Sequence, residues 1–313
     1  MAPDPSRIEK RLGQASILAI LGLAAAGCRT DESMKPLGLP TPAVIAHRGA
    51  SYAAPEHTFA AYDLAIAQGA DFIEQDIHRT ADGVLVVLHD ATLDRTMRGP
   101  AQACSGAVRE HTLAEVKSCD AGDWFNSANP SRAKAEYLGL RLPTLAEVLD
   151  RYLTTGRFYI EIKDPELYPG IESDLVALLA SRGIAPVVDP VAPRVVVQSF
   201  SEASLKRVHQ LGPTIPLIQL FSNSGSAAIA GALSGVRGYA VGIAPHAGSV
   251  DAALVEAAHR ECLLLHTYTV DAQPEMLALL AMGADGIFTN RPDLMRAAVG
   301  ASGRAMLPAN CSP

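Results

Sequence analysis

Between His47 and Asp90 the chain gathers side chains that could carry acid, base and metal-ion chemistry. His47-Arg48-Gly49 follows the apolar run Ala43 to Ala46, and Glu74-Gln75-Asp76 lies within the run Phe72 to Ile77. Carboxylates at i and i+2 of a strand point to one face. A third run, Val84 to Leu88, ends in His89-Asp90; a fourth, Phe158 to Ile162, holds Glu161 and leads into Lys163. Glu74, Asp76 and Glu161, with no cysteine beside them, favour a hard, oxygen-seeking cation such as Mg²⁺ or Ca²⁺ over zinc. The competing reading makes each carboxylate half of a structural ion pair with Arg48 or Lys163. Three of them at strand ends weigh against it, because burying them unpaired is costly. His47 and His89, each closing an apolar run, suit a general acid and a general base near neutral pH. Arg48 and Lys163 suit a phosphate group and its developing charge. His57, His78, His246 and His266 read as structural or surface residues.

The elements that must position these groups alternate along the chain. Further strand candidates are Arg194 to Ser199, Leu217 to Leu220, Tyr239 to Ile243, Cys262 to Thr267 and Gly286 to Thr289. Helical patterns fall between them, among others over Thr58 to Gln68, Leu145 to Tyr152, Ile171 to Ser181, Glu202 to Gln210, Val250 to Arg260 and Pro274 to Met282. Near-continuous apolar strands alternating with amphipathic helices mean a parallel sheet covered on its outer face. Closure over residues 43–300 predicts an α/β fold of the TIM type, a (β/α)8 barrel. Nine strand candidates compete for eight places, and Leu217 to Leu220 and Tyr239 to Ile243 carry the weakest signals. Between Ile77 and Val84 the link is too short for a crossover helix. A hairpin through Asp82-Gly83 is the simple reading. It is expected to carry His89 to the end of the sheet opposite Glu74 and Asp76, whereas an extended return of roughly 20 Å would bring His89 to the same mouth. The extended return is preferred on that functional ground. Residues 95–142 interrupt the alternation and read as a loop insertion at the C-terminal face of the barrel. There Trp124 and Phe125 either wall a pocket or anchor the loop.

Composition narrows the function classes. With 49% hydrophobic and 19% charged residues the 313-residue chain is globular, and its net charge of −7 without long Lys/Arg runs argues against a nucleic-acid partner. Residues 1–28 read as a signal peptide: Arg7, Lys10 and Arg11 precede an apolar stretch from Ala15 to Ala26, too short for a membrane span. Gly27-Cys28 closes it as a bacterial lipoprotein box would, which makes Cys28 the expected lipid anchor, residues 29–42 a tether and 301–313 a tail. Ordinary secretory cleavage is the alternative. The expected location is the periplasm or cell surface, with membrane contact only through that anchor. Export also permits Cys104 and Cys119 to close a loop.

Taken together, H-R-G-A, P-E-H-T, G-A-D-F-I-E-Q-D-I and T-A-D-G-V-L-V-V-L-H-D-A-T-L-D-R-T resemble the glycerophosphodiester phosphodiesterase family. The later pieces L-P-T-L-A-E-V-L, Y-I-E-I-K-D-P-E-L-Y-P-G, V-V-V-Q-S-F and G-A-D-G-I-F-T-N-R-P agree in order, so the resemblance spans roughly residues 43 to 297. The P-E-H-T form, Y-P-G and the insertion resemble its exported bacterial branch. The resemblance implies metal-dependent hydrolysis of a small glycerophosphodiester, such as glycerophosphocholine or glycerophosphoethanolamine, to glycerol 3-phosphate and an alcohol. By the same resemblance Glu74, Asp76 and Glu161 hold one divalent cation, Ca²⁺ ahead of Mg²⁺. It makes His47 and His89 the acid/base pair and places Arg48 and Lys163 at the phosphate. Glu56 fixes the first loop, and Phe200 and Tyr268 face the glycerol. Three positions depart from the common pattern: His57 stands where many members have Asn, Tyr268 where Trp is common and Asn290 where Asp is common. Asn290 lies beyond the inferred ligands and is expected to matter little. Two other functions compete: phospholipase D-like action on lysophospholipid or sphingomyelin, and a surface lipoprotein that binds without turnover.

Overall fold

The computed structural model describes residues 38–185 and 193–303. The signal segment 1–28 with Cys28, the tether as far as residue 37 and the tail beyond 303 lie outside the described residues. Nine strands follow in order: β1 (Ala43–Ala46), β2 (Phe72–Arg79), β3 (Leu85–Val87), β4 (Phe158–Ile162), β5 (Val195–Ser199), β6 (Leu217–Phe221), β7 (Gly242–Pro245), β8 (Leu264–Thr267) and β9 (Gly286–Thr289). All except β3 pair in parallel, and β1 pairs with both β2 and β9, so eight strands close on themselves. Helices α1 (Phe59–Ala67), α2 (Ala101–Cys104), α3 (Leu113–Ser118), α4 (Asp123–Ala128), α5 (Leu145–Tyr152) and α6 (Ile171–Ser181) precede α7 (Glu202–Leu211), α8 (Ser226–Val236), α9 (Ala252–Arg260), α10 (Gln273–Met282) and α11 (Pro292–Ser302). One long helix follows each barrel strand or its excursion, which is the (β/α)8 barrel that the alternating pattern predicts.

Strand alternation decides what faces inward. Ala43 and Ile45 of β1, Phe72 of β2, Tyr159 of β4, Leu264 of β8 and Phe288 of β9 belong to one buried cluster inside the barrel. Their neighbours Val44, Ile73, Phe158, Ile160 and Ile287 join the larger cluster between sheet and helices. Stepping by two from the interior residues leads to His47, to Glu74 and Asp76, to Glu161 and Lys163, to His266 and Tyr268, and to Asn290. The apolar lower barrel and the polar mouth are thus two ends of the same side-chain rows.

The short link after Ile77 is a hairpin, not an extended return. Ile77 pairs antiparallel with Val87, His78 with Val86 and Arg79 with Leu85. Gly83 takes φ 84° in the turn, and Thr80 N donates to Val84 O at 3.0 Å. The expectation that a hairpin removes His89 from the mouth fails for a geometric reason. β2 overshoots the barrel: its pairing with β4 ends at Ile77↔Ile162, yet the strand continues to Arg79. The turn therefore stands beyond the rim, and β3 descends to it, with Leu88 N donating to Asp76 O at 3.0 Å. His89 thus ends on the same side as the carboxylates, near enough for the Asp76 charge to act on it. The extra ninth strand is thus Val84 to Leu88, while Leu217 to Leu220 belongs to the barrel and the run from Tyr239 enters it only at Gly242.

The insertion has a core of its own. Val86 and Leu88 pack with Leu93, Met97, Val108, Val116 and Leu142, together with Cys104 and Cys119. Those two cysteines form a disulfide with Cα atoms 5.6 Å apart and a sequence separation of 15. Closing such a loop restricts the unfolded chain and is worth about 3 kcal/mol. A Cys104→Ala/Cys119→Ala variant is therefore expected to unfold at lower urea than the oxidised parent, by about 2–3 kcal/mol; identical midpoints would show that the bond contributes nothing.

Candidate active site

Glu74, Asp76 and Glu161 lie side by side at the mouth because β2 and β4 pair in register, with Asp76 opposite Glu161. All three are buried. Lys163 Nζ is 2.9 Å from Glu161 Oε1 and 3.8 Å from Asp76 Oδ1. Arg48 Nε is 3.6 Å from Asp76 Oδ2, and the Arg48 backbone N–H donates to Glu74 Oε2 at 2.7 Å. That last bond requires a tight turn after β1. Arg48 takes φ 59° and Gly49 φ 84°, and a Cβ on Gly49 would meet the Ala61 backbone at 2.7 Å. The H-R-G motif is thus a backbone requirement as well as a set of side chains.

The three carboxylates do not share one state. Burial pushes Asp76 up, but Lys163, His57 and Arg48 outweigh it and hold Asp76 well below the usual carboxylate range. Glu74 is raised by burial and by the charges of Asp76 and Glu161. Glu161 is raised to about 8 by burial and Asp76, against the pull of Lys163. One site anchored as an anion beside two that resist ionising is what excess buried negative charge produces. A hard divalent cation fits this donor set, since it would supply the missing positive charge to oxygen ligands.

His57, set aside by the sequence reading, belongs in this cluster. With φ 55° it turns inward, and its Nε2 is 2.8 Å from Asp76 Oδ2 while Nδ1 meets Tyr62 Oη at 2.9 Å. One donor atom from each of His57, Glu74 and Asp76 lies within 4.8 Å of the others. His57 precedes the N-cap Thr58 of α1, a position whose sequence signal is only helical.

A second layer ties the loops together. Glu56 receives Arg48 Nη1 at 3.1 Å and Arg95 through Nη1 at 2.9 Å and Nη2 at 2.7 Å. Arg95 also donates to Asp90 through Nε at 2.6 Å, and Asp90 Oδ1 accepts from His89 Nδ1 at 2.6 Å. Asp90 and Arg95, absent from the residue set inferred by sequence, thereby connect His89 to the H-R-G turn. Burial lowers His89, as do Arg48 and Lys163, while the Asp76 charge and the bond to Asp90 oppose them. His47 is lowered to about 3 by burial and Arg48. Its Nδ1 lies 2.8 Å from Asn290 Oδ1, so Asn290 touches the site despite lying beyond the inferred ligands.

The remaining expected residues sit at the rim. Phe200 is exposed and packs edge-on to Tyr268, ring centres 6.0 Å apart. Tyr268 donates to Phe221 O at 2.8 Å, and burial together with the Glu161 charge raises it to about 12. In the insertion, Phe125 is an anchor, buried with Ala54, Ala61 and Tyr137. Trp124 is half-buried, with the Arg95 guanidinium 5.7 Å from its ring centre.

The chain is similar to known proteins over most of its length. The profile of the glycerophosphoryl diester phosphodiesterase family matches residues 47–294. A glycerophosphodiester phosphodiesterase of Bacillus subtilis strain 168 is 45% identical over 251 residues, covering 80% of this chain and 84% of that protein. The crystal structure of a glycerophosphodiester phosphodiesterase from Agrobacterium tumefaciens strain C58 superposes with a TM-score of 0.66 at 30% identity, over 82% of this chain and 99% of that one. An Oleispira antarctica phosphodiesterase solved with its product sn-glycerol-3-phosphate gives 0.68 at 28% identity, over 83% and 97%.

The Glu56 brace has a measurable cost of removal. Burial pushes Glu56 up, but Arg95 and Arg48 overcome it and hold the carboxyl near 2. A depressed carboxylate contributes stability that is present above its unfolded value and fades as pH falls through the folded value. Glu56→Gln is therefore expected to lose on the order of 2–3 kcal/mol at pH 7, with the gap narrowing from pH 5 toward 3. Equal urea midpoints at pH 7 would contradict the brace.

Proposed function

The chain belongs to the glycerophosphoryl diester phosphodiesterase family and is an enzyme of that activity; from that premise we propose that it hydrolyses small glycerophosphodiesters, such as glycerophosphocholine, with His47 and His89 as acid and base and with a divalent cation. The observation that carries the reading is the crowding of Glu74, Asp76 and Glu161 beneath Arg48 and Lys163, with both histidines at the same rim. Glu74, Asp76 and Glu161 would hold the cation, Ca²⁺ ahead of Mg²⁺, with His57 supporting Asp76. Such an ion supplies Lewis-acid polarisation of a phosphoryl oxygen.

The chain's own residues divide the remaining work. Arg48 and Lys163 offer positive charge to the phosphodiester as negative charge builds on its oxygens. His47, held neutral by burial and the adjacent guanidinium, takes a proton from the attacking oxygen, either that of water or that of the substrate's own glycerol hydroxyl, the latter giving a cyclic phosphate that water then opens. His89, whose Nδ1 meets the Asp90 carboxylate, takes the complementary role and gives a proton to the leaving alcohol oxygen as the P–O bond breaks. Phe200 and Tyr268 flank the glycerol.

Exposure favours a water-soluble diester over an acylated lipid. Among the described residues of the insertion, Leu138 is the one large apolar side chain that stands exposed, which makes a poor platform for acyl chains. The basic start of the chain, its apolar stretch and Gly27-Cys28 support export and lipid anchoring at the periplasmic or cell-surface side of a membrane.

Glycerol 3-phosphate release from glycerophosphocholine, compared with choline release from lysophosphatidylcholine, tests the reading. The first is expected to dominate, to vanish on chelation and to return with Ca²⁺ or Mg²⁺. His89→Ala is expected to lower kcat by about 10²–10⁴-fold with an unchanged unfolding midpoint. Wild-type turnover in that variant would remove His89 from the chemistry, and indifference to chelation would remove the cation.

A further inference from the structure

We infer that Asn290 is a positioning residue for the reaction: it fixes His47 as the Nδ1–H tautomer and so keeps the Nε2 lone pair available to accept a proton. The inference rests on the acid/base reading of His47 above, but its geometry stands apart from it. Asn290 follows β9, one alternate step from Phe288, and its side chain is clamped from three sides. Its Nδ2 donates to Asp271 Oδ2 at 2.7 Å. Asp271 Oδ1 takes the Asn290 backbone N–H at 2.8 Å and the Thr289 hydroxyl at 3.1 Å. Ser51 Oγ stands 2.7 Å from Asn290 Oδ1 and 2.8 Å from the His47 carbonyl.

These contacts settle which way the amide points. A carboxylate accepts hydrogen bonds, so the end of Asn290 facing Asp271 is the NH₂ group. Turning the amide over would set its oxygen against the Asp271 oxygen and its NH₂ against both His47 Nδ1 and Ser51. With Oδ1 toward His47 at 2.8 Å, the ring must bring the proton on Nδ1. A neutral imidazole carries one N–H, so Nε2 is left bare. Free histidine in water prefers the opposite tautomer, and an orienting acceptor on Nδ1 is how a histidine base is set in catalytic triads. Here the acceptor is an uncharged amide, itself oriented by a carboxylate one residue further away. His89 differs, because its Nδ1 meets the Asp90 carboxylate directly. The two histidines therefore enter the reaction with unlike partners.

The test reads the tautomer itself. The full chain, labelled with ¹⁵N-histidine and with the His47 signal identified by its loss in His47→Gln, is expected to show protonated Nδ1 and bare Nε2 at pH 7.5. Asn290→Leu, which cannot accept, is expected to shift His47 toward the Nε2–H form and to lower kcat on glycerophosphocholine by about 10²-fold while KM moves less than about twofold. Asn290→Asp, which keeps an acceptor, is expected to retain the Nδ1–H signal and most of kcat. An Nε2–H signal for His47 in the wild-type chain overturns the inference without any variant, as does an unchanged tautomer in Asn290→Leu. The catalytic reading fails differently: His47→Gln would keep activity while the wild-type tautomer stayed as stated.

Discussion

Glu74, Asp76 and Glu161 are brought within one buried space by strand register, and their mutual repulsion is the constraint to which the rest of the mouth answers. Lys163 and Arg48 reach the cluster from the strand ends, and His57 reaches it from the loop before α1. They hold Asp76 well below the usual carboxylate range, while Glu161 is pushed up to about 8 and Glu74 is raised as well. A site built for folding alone would gain by replacing such a group with apolar side chains of similar volume. On the proposed reading this excess negative charge is what a bound cation would offset, an electrostatic field in place before the substrate arrives.

The barrel supplies this geometry with little special construction. The carboxylates and Lys163 continue inward rows that begin among apolar side chains, as Phe72 leads to Glu74 and Asp76, and Tyr159 to Glu161 and Lys163. Two departures from regularity do the rest. The turn at Arg48-Gly49 points a backbone N–H at Glu74, and the overshoot of β2 lets β3 descend with His89. The Glu56–Arg95–Asp90 brace then joins the two departures, so that the loops carrying the histidines hold one another.

Much of this was legible in the sequence because alternation is a local signal. The period of two in β2 and β4 placed Glu74, Asp76 and Glu161 on a common face, and the apolar rows around them announced the barrel. What stayed hidden depends on contacts far apart in the chain or on lengths beyond the regular element. The extended return is preferred over the hairpin because a strand ending at Ile77 would carry His89 away; the continuation through His78 and Arg79, polar residues with no apolar mark, reverses that result. His57 looked structural because its meaning lies in Asp76, nineteen residues away, and Asn290 looked remote because His47 is 243 residues away. Asp90 and Arg95 carry no periodic signal, and only the fold shows Arg95 bonded to both Glu56 and Asp90.

On the proposed reading, a cation entering the carboxylate cluster displaces protons from it. Calorimetric titration of the metal-stripped chain with Ca²⁺, repeated in buffers of different ionisation enthalpy, counts the protons displaced. Because Glu161 sits near 8 and Glu74 is raised, binding at pH 7 should release about one proton or more per ion, and fewer at pH 9.5 where Glu161 is already ionised. Binding without proton release at pH 7, or no binding of Ca²⁺ or Mg²⁺ at all, would contradict the account.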